Sequence, residues 1–259
     1  MRIGRPRAGP ALLAVWGLAA SAWARHARPR FEPTDLDLED PGTAEFDTQM
    51  GVVHAEGDAG NRLVLPDFEL DLGLTENVEL DLDGAFGVDR FDRPTRQVSG
   101  EALWTAVKLG FLDYQGTGNR PHVALGAQIG PRFPTIGATG VGYGGLGLLT
   151  VHDSRLAVTL NAGIIVDPGD TITGGQSTSA VSGFDISFPL DAAGKWTGIA
   201  EFAGARYFRS DPDEIGLGAG AAYSVGENLD VSLVAICGAL PGSDRLGLLL
   251  GVTPSTRLW

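Results

Sequence analysis

The chain has 259 residues, 32 acidic and 19 basic, for a net charge of −13, with 38 glycines and one cysteine. That charge excludes a nucleic-acid partner, because a phosphate backbone demands a basic surface. The lone Cys237 excludes an internal disulfide framework and a cysteine-based zinc site.

Arg2, Arg5 and Arg7 form a positive start, Pro10 to Ala20 is a short apolar run, and Ala22-Trp23-Ala24 is an A-x-A cleavage pattern. Residues 1–24 therefore read as a signal peptide cut after Ala24, with Ala22 and Ala24 as the small residues of the site. The run falls short of the ~20 residues a spanning helix needs, and no later stretch approaches that length. Residues 25–44 carry prolines and acids with little periodicity. They read as a periplasmic leader outside any sheet, in a position to plug part of the strand-rich remainder of the chain.

From residue 45 to 259, strand-like segments succeed one another. The clearest is RLVLPDFELDLGLTENVELDLDGAFGVD at 62–89. Phe68, Leu70, Leu72 and Leu74 alternate with Asp67, Glu69, Asp71 and Gly73; after Thr75-Glu76-Asn77, Val78, Leu80, Leu82 and Phe86 alternate with Glu79, Asp81 and Asp83. Successive strand side chains point to opposite faces, so this hairpin has one apolar and one acidic face. A fourth strand, about 99–112, sets Leu103, Val107, Leu109 and Phe111 against Trp104, Ala106 and Lys108. A fifth, about 121–132, sets Val123, Leu125 and Ile129 against His122, Gln128 and Arg132. The Gly-rich sixth, about 140–151, has no readable facing. Six more come after it, the last over about 245–253, because Pro254, Ser255 and Arg257 break its alternation.

The expected fold is all-β: an antiparallel transmembrane β-barrel of about twelve strands. The strands run roughly nine to fourteen residues, long enough to cross a bilayer at a tilt, whereas soluble strands average about five or six. The short turns fall after the second, sixth, eighth and tenth strands, and the longest polar loops at 90–98, 168–178 and 209–214 follow odd strands, as in outer-membrane barrels. A soluble β-domain is the alternative. It would put glycines on an outer face where they pack against nothing, whereas in a barrel they line a confined interior. The expected location is the bacterial outer membrane, with lipid around the barrel.

The stretches RPRFEPTDLDLEDPGTAEFD at 28–47 and GNRLVLPDFELDLGLTENVELDLDGAFGV at 60–88, with the Lys108-bearing strand, resemble the Gram-negative outer-membrane family named for the meta-pathway of phenol degradation. The resemblance covers about residues 28–112. It implies an outer-membrane transport barrel, a channel for small solutes that include aromatic or hydrophobic compounds. Trp259 is a terminal aromatic of the kind the outer-membrane assembly machinery reads.

The candidate site is the acidic cluster Asp67, Glu69, Asp71, Glu79, Asp81 and Asp83, lining the lumen, with Lys108 and Arg132 as counterions. Two readings stay open: a wall that selects cations or hydrogen-bonds a polar solute, and a face that only keeps the interior wet. Oxygen ligands for calcium are in supply, but sequence alone assembles no site, and neither a resident metal nor a cofactor is expected. No catalytic residue is assigned, since the chain has no G-x-S-x-G, P-loop or H-E-x-x-H. The expected function is therefore a channel for small molecules. The alternatives are a structural or interaction barrel with a filled lumen, and a lipid-modifying barrel enzyme built around His122.

Overall fold

The computed structural model describes residues 38–55, 60–114, 121–153, 155–170, 175–208, 212–226 and 228–259. The cleavage pair Ala22 and Ala24 and leader residues 25–37 lie outside them.

Twelve long strands form the wall: β1 (Thr43–Ala55), β2 (Asn61–Thr75), β3 (Val78–Asp89), β4 (Leu103–Tyr114), β5 (His122–Phe133), β6 (Gly142–His152), β7 (Ala157–Val166), β8 (Thr178–Pro189), β9 (Trp196–Tyr207), β10 (Glu214–Ser224), β11 (Leu229–Gly238) and β12 (Asp244–Arg257). Each pairs antiparallel with its sequence neighbours, and β12 pairs with β1, so the sheet closes into a twelve-stranded barrel. Closure leaves none of the twelve wall strands with an open edge, which lipid demands because an unpaired backbone group there costs several kcal/mol. Among the described residues no helix is long and apolar enough to cross a membrane; this chain crosses with strands.

The burial pattern is inside out relative to a soluble protein. Along β3, Glu79, Asp81, Asp83 and Asp89 are buried while Leu80 is exposed. Outward leucines, valines and isoleucines stay exposed on most strands, among them Leu125, Ile129, Leu160, Ile164, Leu217, Leu233 and Leu248. An apolar band of this extent needs a lipid solvent, and the chain is an outer-membrane barrel. Aromatics mark one rim: Tyr114 and Trp196 are exposed, and the Trp196 ring lies 4.7 Å from that of Tyr223. Tyr207, at the other end of β9 from Trp196, points inward and donates to Glu214 Oε1. Cys237 faces outward on β11. An unboiled sample is expected to migrate faster on a gel than a boiled one, because a closed barrel has no edge at which detergent can begin to unzip it.

The two ends differ. The connections at 76–77, 115–121, 153–156, 190–195 and 225–228 run two to seven residues, and those at 56–60, 90–102, 134–141, 167–177, 208–213 and 239–243 run five to thirteen. The short-turn end, where the chain also enters β1 and leaves β12, is the periplasmic end by the outer-membrane pattern.

Three boundaries depart from the sequence reading. The fourth strand begins at Leu103, because Gln97–Gly100 forms a separate short strand that folds back on β3. β1 begins at Thr43, inside the expected leader. β12 does not stop near Thr253: it runs to Arg257, with Ser255, Thr256 and Arg257 paired to Glu45, Ala44 and Thr43. Pro254 has no N–H to donate, and the β1 ladder skips from Glu45↔Ser255 to Thr48↔Val252. Within the gap the Thr253 hydroxyl donates to Asp47. Beyond β12, the Leu258 amide donates to the Gly42 carbonyl.

Candidate functional site

The strict alternation of β2 and β3 turns all six predicted acids toward the interior, and register stacks them. Glu69 faces Asp83, and Asp71 faces Asp81. The strand before them extends the lattice, for Glu45 faces Asp71 and Asp47 faces Glu69. Like charges directly opposite in a sheet are destabilising, and burial raises the stakes. Glu79, Asp81 and Asp83 are 0%, 1% and 0% exposed, so part of this wall is dry.

Lys108 answers the buried charge. Its Nζ lies 2.6 Å from Glu79 Oε1 and 3.6 Å from Asp71 Oδ1. Register explains the reach: Glu79 sits directly opposite Lys108 on the β3–β4 ladder. Arg132, the second expected counterion, lies elsewhere in the interior. Its guanidinium pairs with Asp167 at 2.9 Å and stands over the Trp104 ring at 5.6 Å. A third base enters at the far end of β2, where Arg62 lies 3.5 Å from Asp89 and 3.6 Å from Glu101.

Gln128 reaches from β5 across β4 to the acids, and its Nε2 donates to Asp81. The small side chain of Ala106, opposite Asp81, leaves the passage open. Gln128 is 0% exposed, and its Oε1 has no hydrogen-bond donor. A buried acceptor left unmatched costs about 1–3 kcal/mol.

The rest of the interior wall is not uniformly polar. Trp104, Ala106, Ala124, Leu146 and Leu148 form one apolar cluster, and Val53, Val64, Val234, Ile236 and Leu249 another. The first contains the answer to the unreadable sixth strand. Trp104 lies over Gly144, where an added Cβ would meet the indole at 2.8 Å. That fit sets Gly142, Gly144, Leu146 and Leu148 inward and leaves Tyr143 outward. The Trp104 Nε1–H, buried with its ring, donates to the Gly130 carbonyl at 3.2 Å.

Residues 38–42 enter the periplasmic mouth. Leu38 packs against the Trp104 cluster, and the Glu39 amide donates to Glu79 Oε2 at 2.6 Å. The carbonyls of Glu39 and Asp40 cross directly over Gly73, where a Cβ would lie 2.3 Å from each. Only glycine permits that approach.

At the same mouth, the inner faces of β4, β5 and β6 bring together Asp113, His122 and His152. His122 Nε2 contacts Asp113, and His122 Nδ1 contacts His152 Nε2. His122, the residue an enzyme reading would need, thus has both ring nitrogens engaged in a chain along the rim. Sequence reading missed this chain, because its members join only through the β4–β5 and β5–β6 registers, and His152 reads as part of a turn. It also missed Glu45 and Asp47, which the alternation EFDTQ would have revealed.

No protein-family model and no curated protein matches the chain. Solved structures do match its fold. An outer membrane channel from Pseudomonas putida F1 superposes with a TM-score of 0.62 at 12% identity, over 87% of this chain and 99% of that one. The NanC porin superposes with a TM-score of 0.53 at 10% identity, over 81% of this chain and 98% of that one. At these identities the likeness is one of fold.

Proposed function

We propose that the chain is an outer-membrane channel for small molecules, of the kind in the phenol meta-pathway family it resembles, and that its solutes are aromatic or hydrophobic with a polar group. The observation that carries this reading is the mixed interior wall. Tryptophan, leucines and valines face inward in two clusters, beside a seam of carboxylates and bases. An apolar surface with a few placed polar groups suits such a solute. The barrel neighbours being a channel and a porin supports the reading at the level of fold.

The test is passage. The purified barrel, inserted in liposomes, is expected to admit a phenol-sized aromatic faster than a sugar of similar size. A barrel that inserts yet passes neither ions nor small solutes would sink the proposal. Trp104→Ala removes the largest inward side chain of its cluster. It is expected to raise solute flux several-fold while costing about 3–5 kcal/mol of stability, as large-to-small core changes do.

A second reading, a structural or interaction barrel with a filled interior, draws support from the near-zero exposure of Trp104, Leu148, Glu79, Asp81 and Asp83. It predicts no flux in either the parent or the Trp104→Ala barrel, so the same assay separates the two.

A further inference from the structure

We propose that the acidic lattice holds a hard divalent cation, Ca²⁺, bound by Glu69 and Asp71 of β2, Asp81 of β3 and Gln128 of β5. Carboxylate oxygens of Glu69, Asp71 and Asp81 all lie within 4.8 Å of one another. Calcium binds oxygens at about 2.3–2.6 Å, so ligands on opposite sides of one ion stand about 5 Å apart. The three groups are thus already spaced for a shared ion.

Gln128 supplies the independent observation. Its amide is fully buried against Asp81, yet Oε1 has no donor. The two ends of an amide exchange places by a half-turn of the last torsion. With an ion beside Asp81, that turn presents the orphaned oxygen to the metal. Lys108 neutralises part of the lattice from the Glu79 side, 2.6 Å from Glu79 and 3.6 Å from Asp71, and an ion among Glu69, Asp71 and Asp81 would share Asp71 with it.

The donor set chooses the ion. It is all oxygen, whereas structural zinc sites favour nitrogen and sulfur. Magnesium demands tight octahedral geometry and keeps several waters, for which a site with two of its three carboxylates buried leaves little room. Three carboxylates binding through both oxygens, with one amide, supply up to about seven ligands, within the six to eight that calcium takes. An ion there would tie β2 and β3 to β5 across β4 and neutralise part of the lattice. The sequence reading expected no metal, because pairing in register is what assembles these groups. The proposal does not depend on whether the barrel passes a solute, and its test reads binding alone.

The refolded full chain, stripped with a chelator in an uncharged detergent, is titrated with Tb³⁺ as a calcium probe. Trp104 sits opposite Asp83 on the β3–β4 ladder and is 1% exposed, so it is placed to sensitise the bound lanthanide. Saturable Tb³⁺ emission is expected, displaced by CaCl₂ and much less by MgCl₂. The pair Asp71→Asn with Asp81→Asn is expected to weaken affinity at least 10-fold, and Gln128→Leu several-fold. Glu76→Gln, in the exposed β2–β3 turn, should leave it unchanged. Heat-modifiable migration confirms that each variant folds. Equal affinity in the parent and the Asp71/Asp81 variant would overturn the proposal. So would the absence of both Tb³⁺ emission and any calorimetric heat with CaCl₂.

Discussion

Lys108→Met is expected to destabilise the folded barrel by about 3–5 kcal/mol, the cost of removing one partner from a buried ion pair. Methionine keeps the apolar stem of the lysine but removes the charge that faces Glu79 at 2.6 Å and Asp71 at 3.6 Å. Glu79 is 0% exposed, so its charge has no water to turn to. Asp71, buried and 3.6 Å from the same ammonium, loses its positive neighbour as well. The loss should appear as a lower urea midpoint with an unchanged slope, in detergent micelles where unfolding is reversible. The double variant Lys108→Met with Glu79→Gln removes both members of the closest pair and is expected to recover much of the loss. The interaction between the two substitutions should reach a few kcal/mol, near the upper end for groups in direct contact. A single variant as stable as the parent would mean that Lys108 carries no structural charge.

The reasons that single position matters were partly legible in the sequence. Over residues 67–72 of β2 and 78–83 of β3 acids alternate strictly with apolar residues, so period and facing could be read there without ambiguity. The position of Lys108 on the inward face of its strand followed in the same way. Its partner did not, because partnership depends on register, and register between β3 and β4 is set by the detour through Gln97–Gly100. Arg132 shows the same limit. Alternation placed it inward, but only the β5–β6 and β6–β7 registers bring Asp167, just past the end of β7, beside it.

The sixth strand was opaque for a different reason. In GYGGLGL the glycines have no side chain to declare a face, and the leucines at 146 and 148 fit either environment. Trp104 on β4 decides the matter by needing Gly144 beneath it, and that is a contact between strands far apart in sequence. The end of β12 was misread because Pro254 is a sound stop signal for a strand taken alone. Here pairing with β1 resumes on the far side of it. In each case local pattern supplied the face of a strand, and tertiary contact supplied what the face touches.

Gly73→Val is expected to expel the segment 38–42 from the periplasmic mouth while leaving the wall intact. The added Cβ would meet the backbone carbonyls of Glu39 and Asp40 at 2.3 Å. Backbone carbonyls cannot swing aside as a side-chain tip can, so the segment must lift. It then gives up the Glu39 amide bond to Glu79 and the packing of Leu38 on the Trp104 cluster. Valine itself suits a strand, and the substitution removes no rung of the β2–β3 ladder, so heat-modifiable migration should stay as in the parent. The released segment should become open to proteases that spare it in the parent barrel, and this readout concerns docking alone. Conductance reports separately on blockage. If the segment narrows the mouth, the variant passes solute faster than the parent by a factor comparable to or larger than that of Trp104→Ala, since the whole segment leaves instead of one side chain. If protection is lost and flux is unchanged, the segment docks without blocking the path. If protection persists, the close approach over Gly73 does not hold the segment in place.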